Sequence, residues 1–537
     1  MSDAHQARRG TQERSAAGDH NPWLIAIVVS IATFMLVLDT SIASVALLNI
    51  AGDLAADYDQ ATWVITSYLV ANAVIIPVSG WLAGVIGRKR YYMMCVAGFT
   101  ASSLLCGLAW NLQSLIFFRI LQGLSGGGMA PSEQSILADT FPPEKRSQAF
   151  ALYGIAVIIA PTIGPTLGGW LTDHFSWHWI FFINVPFGIL SVSLVQWLLV
   201  EPPALEEERR ARLARGVKVD WIGFLLVALW LGCQEIVLDK GQQDDWFAST
   251  LILSFTIVAA LSFISFIPWE LSRRDPIVDV RLVFTRQFGT AFAVMVAVGA
   301  ILFGTTQILP QMMQESFSYT AYLSGLALMP GGLSMLVMMP LAGQVSNYIQ
   351  AKYLIAGGMF IIALSMWHMT GLDANSSFGW LSWARVYQMI GLPFLFIPIN
   401  NAAYAGLAPD KTNQASAQIN MARNLGGSFG ISIANTELAR RSQFHHERLV
   451  SHVHPSSEAY RHTTNQVMHY FTTHGASAVQ AKGLTMAWIG RTIARQASLL
   501  AYIDVFWIGG IFAVIMVPLI LLFLRPVKDY QNRPPVH

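Results

Sequence analysis

Seven ionisable residues stand inside otherwise apolar sequence: Asp39, Arg119, Glu133, Glu235, Asp239, Arg385 and Arg423. A charge at the centre of a membrane helix costs about 2.5–3.5 kcal/mol on insertion scales, so each is a candidate working residue. Asp39 lies within LVLDTSIASVALLNI, and Arg119 is placed to reach a similar depth. A carboxylate that pairs with arginine in one conformation and takes a proton in another is a workable coupling device. The same pair also suits a static role, holding two helices together. Glu133, near the end of its helix, and Glu235 read either as cavity acids that attract cations or as helix-end residues at an aqueous edge. Arg385 and Arg423 lie in the second half of the chain.

The elements that carry these residues are membrane helices. The chain is 54% hydrophobic and 12% charged, with a mean hydropathy of +0.48. A soluble domain carries about 25% charge, so this is an all-α polytopic membrane protein. Fourteen spans are expected, at 23–48, 61–84, 91–110, 114–137, 148–172, 178–200, 220–239, 248–269, 288–313, 322–346, 353–370, 379–405, 415–435 and 503–524. The net charge of +2 gives no reason to expect a nucleic-acid partner. Cys95, Cys106 and Cys233 all fall in apolar spans and carry no redox signal. No short apolar stretch with a cleavage site precedes the first span, so no removable signal peptide is expected.

Basic residues gather in alternate short loops: Arg88, Lys89 and Arg90; Lys145 and Arg146; Arg209 to Lys218; Arg273 to Arg286; Lys352; Lys411. The tails are basic too. The positive-inside rule then places both termini in the cytoplasm. Residues 436–500 are long, lack the apolar length to span, and read as an amphipathic, mostly helical extracytoplasmic extension. Its His445, His446, His452 and His454 read as a solvated helix face and not a metal site, because no Cys or acidic ligand recurs at a fixed spacing.

An internal repeat sets the architecture. Arg119-Ile120-Leu121-Gln122 recurs as Arg385-Val386-Tyr387-Gln388, an offset of 266 residues. Pro143-Glu144-Lys145 and Gln148-Ala149 recur at the same offset as Pro409-Asp410-Lys411 and Gln414-Ala415. The repeat lays span 4 over span 12, so two spans are inserted between two six-helix halves. Parallel halves that rock about a central site are a transporter plan. The expected organisation is a cytoplasmic tail (1–22), a first half (23–200), cytoplasmic linkers with inserted helices 220–239 and 248–269 (201–287), a second half (288–435 with 503–524), the extension (436–500) and a cytoplasmic tail (525–537). At the offset position of Asp39 the second half has Thr305, so Arg385 either fixes that half or faces the cavity.

Neutral amides are the other polar groups expected to face inward: Gln122, Asn184, Gln307, Gln311, Gln388, Asn400, Asn401 and Asn420. Set beside many Met and Phe, they suit loose hydrophobic recognition better than capture of a charged metabolite. In span 5, ALYGIAVIIAPTIGPTLGG concentrates small residues at Gly164, Gly168 and Gly169 beside Pro165. Such a kinked, bare-backed helix belongs at a helix–helix seam, either an ordinary packing seam of a membrane protein or one that seals one side of a transport pathway. The chain has no Gly-Lys-Ser/Thr phosphate loop, no His-Glu-x-x-His, no Gly-x-Ser-x-Gly and no heme or flavin signature. A membrane potential supplies about 2.3 kcal/mol per charge per 100 mV, enough to drive a gradient without ATP.

These residues resemble the fourteen-span drug:proton antiporters of the major facilitator superfamily, and among them the EmrB-like multidrug pumps. The resemblance covers nearly the whole chain. It rests on Leu38-Asp39-Thr40, Trp63, Thr66-Ser67-Tyr68-Leu69, Pro77, Gly80-Trp81-Leu82, Arg119 with Gln122-Gly123, the span 5 glycines, and Trp177 to Gly188 around Asn184-Val185-Pro186. The loop after span 2 keeps Gly80, Gly87, Arg88 and Lys89, but Gly84 and Val85 replace the Asp-Arg of the family's gate. Ala151 and Ala160 stand where the span 5 motif has Gly.

The resemblance implies proton coupling at Asp39 and Arg119, and a seal at Gly164, Pro165, Gly168 and Gly169. It implies no cofactor, since the proton gradient does the driving. It also implies an inner-membrane location, hydrophobic or amphiphilic substrates, an EmrA-like periplasmic adaptor and an outer-membrane channel. A dedicated exporter of one metabolite, such as a fatty acid or siderophore, is the alternative. A receptor or enzyme is disfavoured by the two-half repeat and the missing catalytic motifs.

Overall fold

The computed structural model describes residues 21–201, 203–214, 220–273, 275–405, 407 and 411–524. The two tails, and the basic residues Arg215, Lys218 and Arg274 of the linkers, lie outside the described residues. Every described element is helical.

Helices stand at each of the fourteen expected positions. Span 1 is Pro22–Val45, opened by Asn21, whose side chain accepts from the Trp23 N–H, with Pro22 at the first turn. Span 2 is Trp63–Ile86 and span 3 Arg88–Gly107. Span 4 begins with an Asn111/Ser114 capping box and is split into Leu112–Gly126 and Met129–Thr140 at the Gly126-Gly127-Gly128 run. Span 5 is Pro143–His174, and span 6 is Trp179–Phe182 with Asn184–Leu198. The inserted pair is Trp221–Lys240 and Thr250–Ser272. Spans 9, 10 and 11 are Arg286–Phe317, Ala321–Val345 and Ala351–Thr370. Span 12 is split into Phe378–Gly391 and Pro393–Tyr404, matching the break in its repeat mate, span 4. Proline at 393 removes a backbone donor there, and glycine does the work in span 4.

Among the described residues, nine helices are long and apolar enough to cross a membrane, or ten if the bent span 5 is taken as one. Spans 3, 4, 12 and 13 fall short of that apolar measure. They carry Arg88-Lys89-Arg90, Arg119 with Glu133, Arg385 with two asparagines, and Arg423. Their polar content lies mostly inside the bundle: Arg119, Glu133, Gln388 and Asn400 are all buried.

Spans 13 and 14 do not stop at their apolar segments. They run on as Thr412–Ser451 and Ala478–Phe523, joined by Glu458–Thr473. Forty residues of helix measure about 60 Å, twice a bilayer core of about 30 Å. The 436–500 extension is therefore built from helical continuations of two spans and the helix that joins them.

We call the end carrying Arg88, Lys145, Lys352 and Lys411 the basic end. The two halves are bound together there. Asn401 donates to Ser147 Oγ (2.7 Å), and Ser416 to the Pro131 carbonyl (2.6 Å). Asn420 donates to Gln134 Oε1 (2.8 Å). Phe150 stacks on Tyr404 with ring centroids 5.8 Å apart. Gly80 lets span 2 touch the start of span 13, where a Cβ would stand 2.8 Å from the Asn413 carbonyl oxygen. Span 7 bridges the halves at the opposite end: Ser428 of span 13 donates to Glu235 (2.8 Å), and Thr66 of span 2 bonds Asp239.

Candidate transport site

Asp39 is 2% exposed and is held by three donors from two other spans. Its Oδ2 accepts from Arg119 NH1 at 2.6 Å. Its Oδ1 accepts from Gln122 Nε2 at 2.9 Å and from Asn184 Nδ2 at 2.7 Å. Arg119 and Gln122 are three residues apart on span 4 and therefore share a face. The guanidinium also donates from Nε to the Val64 carbonyl (3.0 Å) and lies 4.2 Å over the Tyr68 ring. Asn184 is anchored by Ser103 (2.9 Å), which donates to the Phe181 carbonyl (2.9 Å). One carboxylate thus ties span 1 to spans 4 and 6, with spans 2 and 3 supporting its partners.

The second half repeats this arrangement without the acid. Arg385 NH1 donates to Gln388 Oε1 (2.6 Å), as Arg119 NH1 does to Gln122 Oε1 (2.7 Å). Gln388 Nε2 then donates to Thr305 Oγ1 (2.6 Å), where Gln122 donates to Asp39. Arg385 NH2 donates to Thr306 (3.0 Å). Where the first half has a carboxylate, the second half has the neutral hydroxyl of Thr305.

The span 5 seam meets span 1 just beyond Asp39. A Cβ on Gly164 would stand 2.7 Å from Ser41 Cβ, and one on Gly168 2.9 Å from Ile42 Cγ2. These glycines are four residues apart on one face. Gly169 is turned away, with nothing within 4 Å. The Pro165 side chain lies outside the described residues. Span 5 bends by 43° between Lys145–Pro161 and Thr166–Thr172. Spans 9 and 13 close in a similar way, Gly426 and Gly430 meeting the backbone of Val296 and Ala300.

At the basic end, Arg88 is 6% exposed and pairs with Asp139 of span 4. Its backbone N–H donates to Glu201 Oε1 (2.8 Å), and Lys89 Nζ to the Gln196 carbonyl (2.8 Å). Gly87 has φ +99°, a conformation that favours glycine. Asp139 and Glu201 were not among the residues singled out by type. Each is an acid at a helix end, where charge is ordinary, so only the fold reveals that they receive Arg88.

The remaining candidates are dispersed. Glu133 is buried and accepts from Thr33 and from Tyr92 OH (3.1 Å). Glu235 is also buried, against Ser428, and not at an open helix end. Asn400 is buried and donates to the Phe396 carbonyl (2.7 Å). Asn401 sits in the basic-end contact. Asn420 accepts from Arg423 NH2 (2.9 Å). Gln311 donates to Glu315 (3.0 Å), and Gln307 is exposed. In the extension, His445 bonds Asp504 at 2.9 Å and His452 the Arg448 carbonyl at 2.7 Å.

Two halves with matching polar cores, each built on an Arg-x-x-Gln turn, make an internally repeated membrane fold. A family model described as Major Facilitator Superfamily matches residues 29–431. The chain belongs to the major facilitator superfamily. Within it, the chain is 35% identical to the multidrug export protein EmrB of Escherichia coli, over 92% of this chain and 94% of that one. It is 35% identical to the fatty acid resistance protein FarB of Neisseria gonorrhoeae, over 94% and 96%. A colistin resistance protein EmrB of Acinetobacter baumannii is 30% identical over 88% and 91%. Among solved structures, the proton:xylose symporter XylE matches with a TM-score of 0.60 at 14% identity, over 94% of this chain and 96% of that one. The protein is a multi-pass membrane transporter with the major facilitator fold.

Proposed function

We propose that this transporter exports hydrophobic and amphiphilic drugs from the cytoplasm in exchange for protons, by alternating access. The observation that carries the reading is Asp39, a buried carboxylate whose three donors come from two other helices. As an ion it draws Arg119, Gln122 and Asn184 together. Once protonated it loses its charge-assisted bond to Arg119 and an acceptor site, so spans 1, 4 and 6 are freed to shift. Gly164 and Gly168 keep the seam next to Asp39 tight while the rest moves. Drug relatives at 35% identity over nearly the full length support the substrate class.

The basic end is then cytoplasmic, with both termini on that side, and the membrane is the bacterial inner membrane. The proton gradient is the energy source and no cofactor is needed. The extension of spans 13 and 14 projects into the periplasm, where it would meet an EmrA-like adaptor leading to an outer-membrane channel.

The test uses purified protein in sealed vesicles with an imposed inward proton gradient, a pH-sensitive dye and a panel of hydrophobic drugs. Drug-dependent proton movement that vanishes in Asp39→Asn supports the reading. A fully active Asp39→Asn variant overturns the role of Asp39. A second reading, a dedicated exporter of fatty acids, is favoured by the similarity to FarB. Proton movement with long-chain fatty acids and with none of the drugs would select it.

A further inference from the structure

Glu133 is a second fully buried acid, and the proton exchange at Asp39 does not use it. Among the described residues its carboxyl is held by two hydroxyls: Thr33 of span 1 on Oε2 and Tyr92 of span 3 on Oε1. Among the described residues it makes no ion pair within 4.0 Å. An ionised carboxylate sealed among neutral groups is costly, whereas a neutral acid with two hydroxyl partners is well satisfied.

The charge nearest in function comes from the other half. Arg423 of span 13 is two hydrogen bonds from the neighbour of Glu133: Asn420 donates to Gln134 at 2.8 Å and accepts from Arg423 at 2.9 Å. Its NH2 donates to Asn420 Oδ1, while its buried Nε and NH1 make no hydrogen bond among the described residues. The groups around Glu133 are otherwise weakly acidic: Tyr92 and Cys95 of span 3, and Tyr153 of span 5, whose hydroxyl lies beside both Arg423 and Glu133. The place is also a contact point between the halves. Residues on either side of Glu133 are bonded to span 13, Pro131 to Ser416 and Gln134 to Asn420. Thr33 is six residues from Asp39 on span 1, about 9 Å toward the basic end.

We propose that Glu133 is a second proton-carrying residue, and that its proton operates an ion-pair latch with Arg423 across the two halves. The acid resting on hydroxyls, with the Arg423 guanidinium turned to Asn420 and lying 5.8 Å over the Phe396 ring, is the arrangement the protonated form of the latch would take. Opening of the basic end admits water, which takes the proton from the Glu133 carboxylic acid. The resulting carboxylate pairs with the Arg423 guanidinium and draws the halves shut. A proton arriving from the opposite side breaks the pair and allows the basic end to open again. The proton enters on one side and leaves on the other, so the step balances. This inference rests on the proton-driven reading above and adds a residue to it.

The test needs no drug. Ala403, buried at the basic-end contact, is replaced by cysteine, and its labelling by a water-soluble maleimide is followed from acid to alkaline pH. Rates are corrected with the same cysteine in denatured protein. The latch predicts that labelling rises as pH falls. Glu133→Gln, a permanent mimic of the protonated form, should be labelled at the high level throughout, and Arg423→Gln likewise. A pH response that persists unchanged in both variants overturns the latch, as does a parent protein with no pH response. If the latch responds but the vesicles show no drug–proton exchange, the exporter reading fails while the latch stands. If exchange is robust and labelling ignores pH, the latch alone fails.

Discussion

Thr305 accepts from Gln388 at 2.6 Å in the place where Asp39 accepts from Gln122 at 2.9 Å. The two halves share an Arg-x-x-Gln turn and differ in the group it serves. In the first half that group can change charge. In the second it cannot, and Arg385 is left to hydrogen bonds with Gln388 and Thr306. Under the proposed proton-driven cycle the asymmetry would give the halves different work, the first responding to protons and the second supplying a fixed partner.

The Asp39–Arg119 pair should be strongly unequal to its parts. Arg119→Gln leaves a buried carboxylate without its cation, and the expected cost is about 3–5 kcal/mol. Asp39→Asn/Arg119→Gln removes both charges and should recover much of that loss. Thermal unfolding of the purified variants measures both. A double variant no more stable than Arg119→Gln would mean that Arg119 acts through its contacts to Val64 and Tyr68 and not through the acid.

The span 5 glycines should divide into two classes. Gly164→Val and Gly168→Val push into Ser41 and Ile42, and overpacking of this kind costs about 1–3 kcal/mol. Both should also impair export by spreading the seam beside Asp39. Gly169→Ala meets open space and should change stability by about 0.5 kcal/mol or less. Equal damage at all three positions would remove the seam from the account.

Much of this was legible in the chain, and the exceptions have physical causes. Asp39 and Arg119 stood out because charge is expensive inside apolar sequence. Gln122 and Gln388 were visible through the repeat. That Asn184 binds Asp39 was not readable, since an amide bears no comparable insertion cost and lies 145 residues away. The four-residue spacing of Gly164 and Gly168 marks one helix face, but which helix lies against it is a property of the packing. Hydropathy ends spans 13 and 14 where the apolar residues end. Backbone hydrogen bonding has no such boundary, so both helices run on.

Arg88 at the basic end should depend on Asp139. The Asp-Arg pair that the related gate loops carry is replaced by Gly84 and Val85, yet Arg88 finds an acid on span 4. Asp139→Asn should cost about 1.5–3 kcal/mol, the range for a hydrogen bond to a charged group. It should also raise maleimide labelling of cysteine at Ala403, because spans 2, 3 and 4 would no longer be held as one unit. Lys89→Gln, which loses a bond to the Gln196 carbonyl on a half-open surface, should do neither.

The equivalence of Thr305 and Asp39 can be tested by giving the second half its own acid. An aspartate introduced by Thr305→Asp would lie beside Gln388, one bond from Arg385, as Asp39 lies beside Gln122 and Arg119. A charge-assisted bond to Arg385 favours it, and desolvation of the new carboxylate opposes it. The neutral control is Thr305→Asn, which has the same shape. Adding Arg385→Gln to each completes a double-mutant cycle that isolates the charge–charge contribution. We expect Thr305→Asp to melt above Thr305→Asn when Arg385 is present and below it when Arg385 is gone. If the order is the same in both backgrounds, Arg385 does not face position 305 as Arg119 faces Asp39, and the two polar cores are alike in sequence only.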